Sequence, residues 1–229
     1  MDVALVITNA LVATGTLVVA IVAVFGETIR AWRVRPKLAS TLNLRPPDSH
    51  KTAMRAKDKQ GNEFYADAYY CRLRVENRGT LAAHNVEVYA GKLEKRRQDG
   101  GTDPVTTFLP MNLKWSHMGS IFFPRLGPGV PKHCDFFHIV KPSDRYRIES
   151  EAMFGEESER SETVISFDLM VKPLALGHLA TAGRYEVELV IGAENAATVV
   201  ERYEIYLDGK WSDDQDKMLS DYVGVKKIS

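Results

Sequence analysis

The hydrophobic pattern changes character once along the chain. Val3 to Phe25 reads VALVITNALVATGTLVVAIVAVF, and no charged residue occurs between Asp2 and Glu27. As a helix this stretch rises about 35 Å at about 1.5 Å per residue, enough to cross a hydrocarbon core of about 30 Å. Its few polar members, Thr8, Asn9, Thr14 and Thr16, can hydrogen-bond along the helix or to a neighbouring one. A cleaved signal peptide would open with a basic segment and carry a shorter apolar stretch. Here the start holds Asp2 and neither Lys nor Arg. A helix buried in a soluble core would show a polar face, and this one has none. The pattern predicts a single-pass signal-anchor, held in the lipid bilayer through Val3 to Phe25.

Beyond the span the period shortens to two. The clearest strand is Tyr69 to Asn77, with Tyr69, Cys71, Leu73 and Val75 on one face and Tyr70, Arg72, Arg74 and Glu76 on the other. Leu38, Ser40, Leu42 and Leu44 begin a weaker alternation after Pro36, which stops the helix. Val86, Val88 and Ala90 continue the apolar face of a second strand, which ends in the charged run Lys92 to Arg97. Further strands are expected at Ile121 to Phe123, Asp135 to Val140, Tyr146 to Glu149, Val164 to Val171, Tyr185 to Ile191 and Val199 to Leu207. Turn residues separate them, among them Gly127-Pro128-Gly129, Pro142-Ser143-Asp144, Ala182-Gly183 and Asp208-Gly209. His50 to Asn62 reads as a polar loop. A short helix is expected near the end, capped by Ser212 with Gln215 completing a capping box. So many strands without a long amphipathic helix between them predict a mainly β fold, an antiparallel sandwich. The expected organisation is an anchor over 1–26, a basic juxtamembrane linker over 27–37 and a β-sandwich domain over 38–229.

Charge adds a direction. The 229 residues carry 30 basic and 30 acidic side chains, so nothing in the balance suggests nucleic acid. Locally, Arg30, Arg33, Arg35 and Lys37 follow the span against Glu27, and only Asp2 precedes it. Lys and Arg mark the cytoplasmic side, which predicts an N-terminus outside and the large domain in the cytoplasm. Trp32 falls where an aromatic belt residue belongs. These five residues form the expected membrane interface. Ala10 with Thr14, and Thr16 with Ala20, repeat small residues at spacing four, which permits a homo-oligomer through the helix.

Arg72 to Val88, RLRVENRGTLAAHNVEV, resembles the strand–turn–strand of immunoglobulin-like modules of the CARDB kind, through Val75, Asn77, Gly79, Ala83, Val86 and Val88. A second stretch, Leu179 to Ile191, is similar to a late strand of such sandwiches through Leu179, Gly183, Tyr185, Val187 and Leu189. The resemblance implies an immunoglobulin-like sandwich with insertions, chiefly between Lys92 and Ser161. It implies no shared catalytic site.

Candidate chemistry is sparse. His133, Cys134, Asp135 and His138 are competent metal ligands, but on a regular strand His133 and His138 face opposite ways, so no metal site is expected. Cys71 lies on the apolar face of its strand and reads as a small buried hydrophobe. In the cytoplasm both Cys71 and Cys134 would be reduced thiols. Ser116 and Ser120 lie near His117 without a Gly-x-Ser-x-Gly elbow, and no phosphate-binding motif or cofactor signature occurs. Trp115, His117, Phe122 and Phe123 are the candidates for partner contact. The leading expectation is a non-enzymatic interaction or scaffold module at the cytoplasmic face with a protein partner. The alternatives are a membrane-associated hydrolase using His117, His133 or His138, and an extracytoplasmic adhesion or sensor domain.

Overall fold

A computed structural model describes residues 3–148, 154 and 161–228, with backbone alone for Val3, Leu5 and 27–33. The uncharged stretch is one helix, α1 (Val3–Arg33). Its Val6–Gly26 segment is long and apolar enough to cross a membrane and has none of its surface buried. The Thr8, Thr14 and Thr16 hydroxyls donate to the carbonyls of Ala4, Ala10 and Val12 at 2.8–2.9 Å, which satisfies each hydroxyl within the helix. The helix runs on through 27–33 and ends three residues before Pro36.

The strands follow as β1 (Leu38–Thr41), β2 (Ser49–Lys57), β3 (Glu63–Asn77), β4 (Ala83–Arg96), β5 (Thr102–Pro104), β6 (Met111–Asn112), β7 (Lys114–Trp115), β8 (Phe123–Leu126) and β9 (Lys132–Val140). After a short helix, α2 (Pro142–Arg145), come β10 (Ile165–Phe167), β11 (Leu179–Ala180), β12 (Gly183–Ala193) and β13 (Ala196–Leu207). The chain ends in α3 (Gln215–Lys217), a π-helical turn over Met218–Tyr222 and β14 (Val223–Lys227).

Two antiparallel sheets result. One runs β1–β3–β9–β10–β11, with β2 beside the first half of β3 and β7 beside β9. The other runs β14–β13–β12–β4, and β8, β6 and β5 share the far edge of β4 in turn. The two close on one core, in which Tyr69, Cys71, Leu73 and Val75 of the first sheet meet Val86, Val88, Val187, Leu189 and Ile205 of the second. Phe136 bridges the layers, with ring centroids 5.3 Å from Phe137, 5.9 Å from Phe167 and 6.1 Å from Tyr203. Glu201, inside sheet two, accepts from the Ser40 amide of sheet one at 3.2 Å and pairs with Lys227 at 2.6 Å, so its buried charge is met.

Two bulges change which residues share a face. In β4, Glu188 and Leu189 of β12 face Lys92 and Ala90, so Gly91 is extra and Leu93 joins Val86, Val88 and Ala90 in the core. In β9, Cys71 and Arg72 face Phe137 and Asp135, so Phe136 is extra. Both Phe136 and Phe137 are therefore buried.

Several local expectations change. Of the expected polar loop, only Asp58 to Asn62 is a turn; His50 to Lys57 is a strand, because β2 lies at the sheet edge against Glu63–Cys71 and needs little apolar surface there. Tyr146 and Arg147 turn after α2 rather than forming a strand, because Pro142 supplies a ready helical φ at the first position; Ile148 makes only an isolated bridge to Asp58, and Glu149 lies outside the described residues. The Ile121–Phe123 strand shifts to Phe123–Leu126, and Val164–Val171 pairs regularly only over Ile165–Phe167. The terminal helix is capped by Asp214, whose carboxylate accepts from the amides of Asp216 and Lys217 at 3.0 and 3.2 Å. Gln215 reaches instead to the Lys51 amide, at 2.8 Å, and ties the end of the chain to β2.

Candidate functional site

The chain leaves sheet two after β6, joins sheet one as β7 and returns as β8. The turn between β7 and β8 stands over the outward side of β3 and β9. There it walls a hollow of about 460 Å³ lined by Arg72, Ser116, His117, Met118, Phe123, Pro131, Lys132 and His133.

Each wall is fixed by local physics. Ser116 N–H donates to the His133 carbonyl at 3.0 Å, and Trp115 N–H to the Ser120 carbonyl at 2.9 Å, closing the turn onto β9. Closing it so tightly puts His117 at φ +66° and Gly119 at φ +63°. Left-handed backbone is ordinary for glycine and uncommon for histidine, and strain held on a rigid scaffold often marks a functional position. Trp115 beneath the turn is 1% exposed and donates its indole N–H to the Val86 carbonyl at 3.1 Å. It joins the two sheets, which corrects the expectation that it contacts a partner. Phe123 packs against it at 5.1 Å and takes the Lys132 ammonium over its ring at 5.5 Å. His117, Met118 and Phe122 are exposed.

The floor is an ion-pair network. Arg72 Nε meets Asp135 Oδ1 at 3.1 Å, and the Ser116 hydroxyl donates to the same oxygen at 2.5 Å. Burial pushes the Asp135 carboxyl up, and the Ser116 hydrogen bond and the Arg72 charge act the other way. His133 Nε2 lies 3.0 Å from Asp48 Oδ1. Asp48 is itself buried and also accepts from the Asn43 amide at 3.0 Å, which pins the loop before β2 to β9. His50 stands nearby. Burial and then the Arg72 charge hold its pKa below the ordinary 6.5, the hydrogen bond to Pro47 opposes them, and His117 and His133 add a little in the lowering direction.

The bulge at Phe136 turns His133, Asp135 and His138 to the same outward side, where a regular strand would separate the histidines. They still do not converge. His133 pairs with Arg74 and His138 with Tyr70 in the register, four residues apart on β3, or about 13 Å at about 3.3 Å per residue. His138 is buried, stacked on Tyr70 at 5.1 Å and bonded to Asp168 at 2.9 Å. Ser116 donates to a carboxylate rather than to histidine, and the Ser120 hydroxyl donates to the Phe122 carbonyl at 3.0 Å. Among the described residues no group of three His, Cys, Asp or Glu side chains is placed to hold a metal ion. Cys71 and Cys134 are both free and buried; burial pushes the Cys71 thiol up to about 12 and Cys134 well above its usual range.

Of the expected membrane-interface residues, Arg35 and Lys37 are exposed at the start of the domain, and the side chains of Arg30, Trp32 and Arg33 lie outside the described residues. Sequence reasoning missed Asp48, His50, Arg72 and Lys132 as members of one site. Arg72 was legible as outward-facing, but its neighbours come from three separate stretches of chain. Compared with family models and with curated proteins, the sequence matches none.

Proposed function

We propose that this is a single-pass, membrane-anchored interaction module, with its N-terminus outside and its β-sandwich in the cytoplasm. The hollow over β3 and β9 is its docking groove, and the occupant is an acidic segment of a membrane-associated protein partner. The observation that carries this reading is the convergence of Arg72, Lys132, His117 and His133 on one hollow beside Phe123 and Met118. Arginine, aromatic and methionine side chains, here Arg72, Phe123 and Met118, are what protein interfaces concentrate at their anchor points. The carboxylates below the groove, Asp48 and Asp135, are each engaged by His133 or Arg72, so they hold those two side chains in place at the groove's floor. The anchor favours the same role, because tethering raises the local concentration of the groove for partners in the same bilayer. The direction of insertion rests on the basic exit of the span. The likeness to immunoglobulin-like modules of the CARDB kind fits a binding role and adds no chemistry.

A photo-crosslinking residue at Met118 of the full chain in intact cells tests the groove, with one at Asp99, on the far loop, as reference. The expected result is a defined crosslinked partner from position 118, lost on Arg72→Glu or Lys132→Glu and absent from position 99. Equal crosslinking from 118 and 99, or from 118 with and without the charge reversals, would refute the groove. A membrane-impermeant maleimide tests the direction on an Asp99→Cys chain: labelling in intact cells would place the domain outside.

A further inference from the structure

The junction between α1 and the domain is not a flexible tether. Thr80 N–H donates to the Arg35 carbonyl at 3.1 Å, Arg78 N–H to the Lys37 carbonyl at 2.7 Å, and Lys37 N–H to Asn77 Oδ1 at 3.0 Å. Gly79 lies so close that a Cβ would fall 2.1 Å from the Arg35 carbonyl oxygen. Asn77 is fully buried, and its side chain also accepts from the Gly79 amide and donates to the carbonyls of Leu81 and Leu126, at 2.9, 2.6 and 3.1 Å. One amide group thus fastens the linker, the β3–β4 turn and the loop after β8 into a single end of the sandwich. The Gly129 amide donates to the Asn77 carbonyl at 2.9 Å and completes it.

That end lies within reach of the membrane surface if α1 spans the bilayer. Past Gly26 the helix rises at most about 10 Å over 27–33, and two further residues add at most about 7 Å. The headgroup layer is about 5–8 Å deep, so Arg35 stands at most about 9–12 Å beyond it, and tilt of α1 brings this end down onto the headgroups. The side chains presented there suit it. Leu81 and Val130 protrude from adjacent loops, 46% and 51% exposed, beside Val34 at 37%. Around them stand Arg35, Lys37, Arg78, Arg125 and Lys132, all exposed, against the carboxylates of Glu76 and Glu194. Glu76 is engaged by Arg78, and Glu194 accepts from Asn85 at 2.7 Å.

We propose that this end, built from the linker, the 78–82 turn and the 126–131 loop, seats on anionic lipid headgroups, with Leu81 and Val130 entering the interface. The proposal rests on the anchored reading above and adds to it a fixed posture. Apolar tips flanked by cations are held at an anionic surface both by burial and by charge. Lys132 and Pro131 belong to the seat and to the groove, so seating sets the groove close to the bilayer and open along it.

The test uses the full chain reconstituted in vesicles carrying a quencher on the lipid headgroups. A fluorophore is placed through Leu81→Cys, Val130→Cys or, as reference, Asp99→Cys; Cys71 and Cys134 are buried and silent to the label. With roughly 30% phosphatidylserine in the vesicle, positions 81 and 130 are expected to be quenched and 99 not. Each basic residue near the surface multiplies the seated-to-lifted ratio about five-fold, so the pair Arg125→Glu and Lys132→Glu lowers it by at least about 25-fold. Salt at about 0.5 M, which needs no mutation, should weaken quenching in the same direction. Retention of the chain in an alkaline wash is read on the same vesicles. Release would overturn both the anchor and the seat. Retention with no quenching at 81 and 130, or with equal quenching in purely zwitterionic vesicles, would overturn the seat alone.

Discussion

Replacing Asn77 with alanine isolates the contribution of one buried amide. The side chain makes four hydrogen bonds, to the amides of Lys37 and Gly79 and to the carbonyls of Leu81 and Leu126. Three of these lie where water can enter once the amide is gone, and the one to Leu126 is fully buried. A rehydrated hydrogen bond is worth about 1 kcal/mol net, and a buried polar group left unmade costs about 1–3 kcal/mol. The sum is about 4–6 kcal/mol, among the largest effects expected of a single substitution. Urea unfolding of the full chain in micelles, followed by near-ultraviolet circular dichroism, measures it. Asn77→Asp gives an internal check, because it keeps both acceptor bonds but sets a carboxylate oxygen against two carbonyls. That repulsion and burial raise the folded pKa of the new carboxyl above its unfolded value. The folded state then binds the proton more readily, so the Asp variant gains stability relative to wild type as pH falls through that folded pKa. A loss below about 1 kcal/mol for Asn77→Ala, or a pH-independent gap for Asn77→Asp, would refute the reasoning.

Three further outcomes are expected. Gly79→Ala forces its Cβ against the Arg35 carbonyl and the Lys37 amide, so it should cost about 2–3 kcal/mol by overpacking and raise hydrogen exchange at residues 35–38; unchanged exchange there would show that the linker is not clamped. Cys71 and Cys134 should resist a thiol reagent at pH 8 in the native chain and react together on denaturation, since burial holds both in the protonated form; rapid native labelling of either would contradict its burial. His50 has a folded pKa below its unfolded 6.5. The unfolded chain therefore takes up that proton first, and stability present above pH 6.5 declines as pH falls through the interval down to the folded value. His50→Gln should flatten that part of the stability–pH profile, and an identical slope in wild type and variant would exclude His50 as its source.

The sequence by itself determined those features that depend on neighbours along the chain. The uncharged run to Phe25 dictates a helix that would bury its side chains in lipid, because no polar face exists to meet water. Period-two alternation fixed β3 and the inward direction of Cys71, Leu73 and Val75, and the Arg78-Gly79-Thr80 turn was legible from its glycine. The tertiary structure decided whatever depends on pairing between distant strands. The bulges at Gly91 and Phe136 are one-residue mismatches between partners, invisible in either strand alone, and each flips the faces that follow it. The polar β2 became a strand only because β3 extends far enough to offer it an edge. Trp115 became core because the chain crosses between the sheets there, laying its indole over β4. The groove itself needed the same crossing: Arg72, His117 and His133 are spread over sixty residues of sequence and meet only where β7 and β9 pair. Charge marked the linker as a basic segment after the apolar span, but only the amide of Asn77, reaching the linker and both loops at once, fastens that linker to the sandwich.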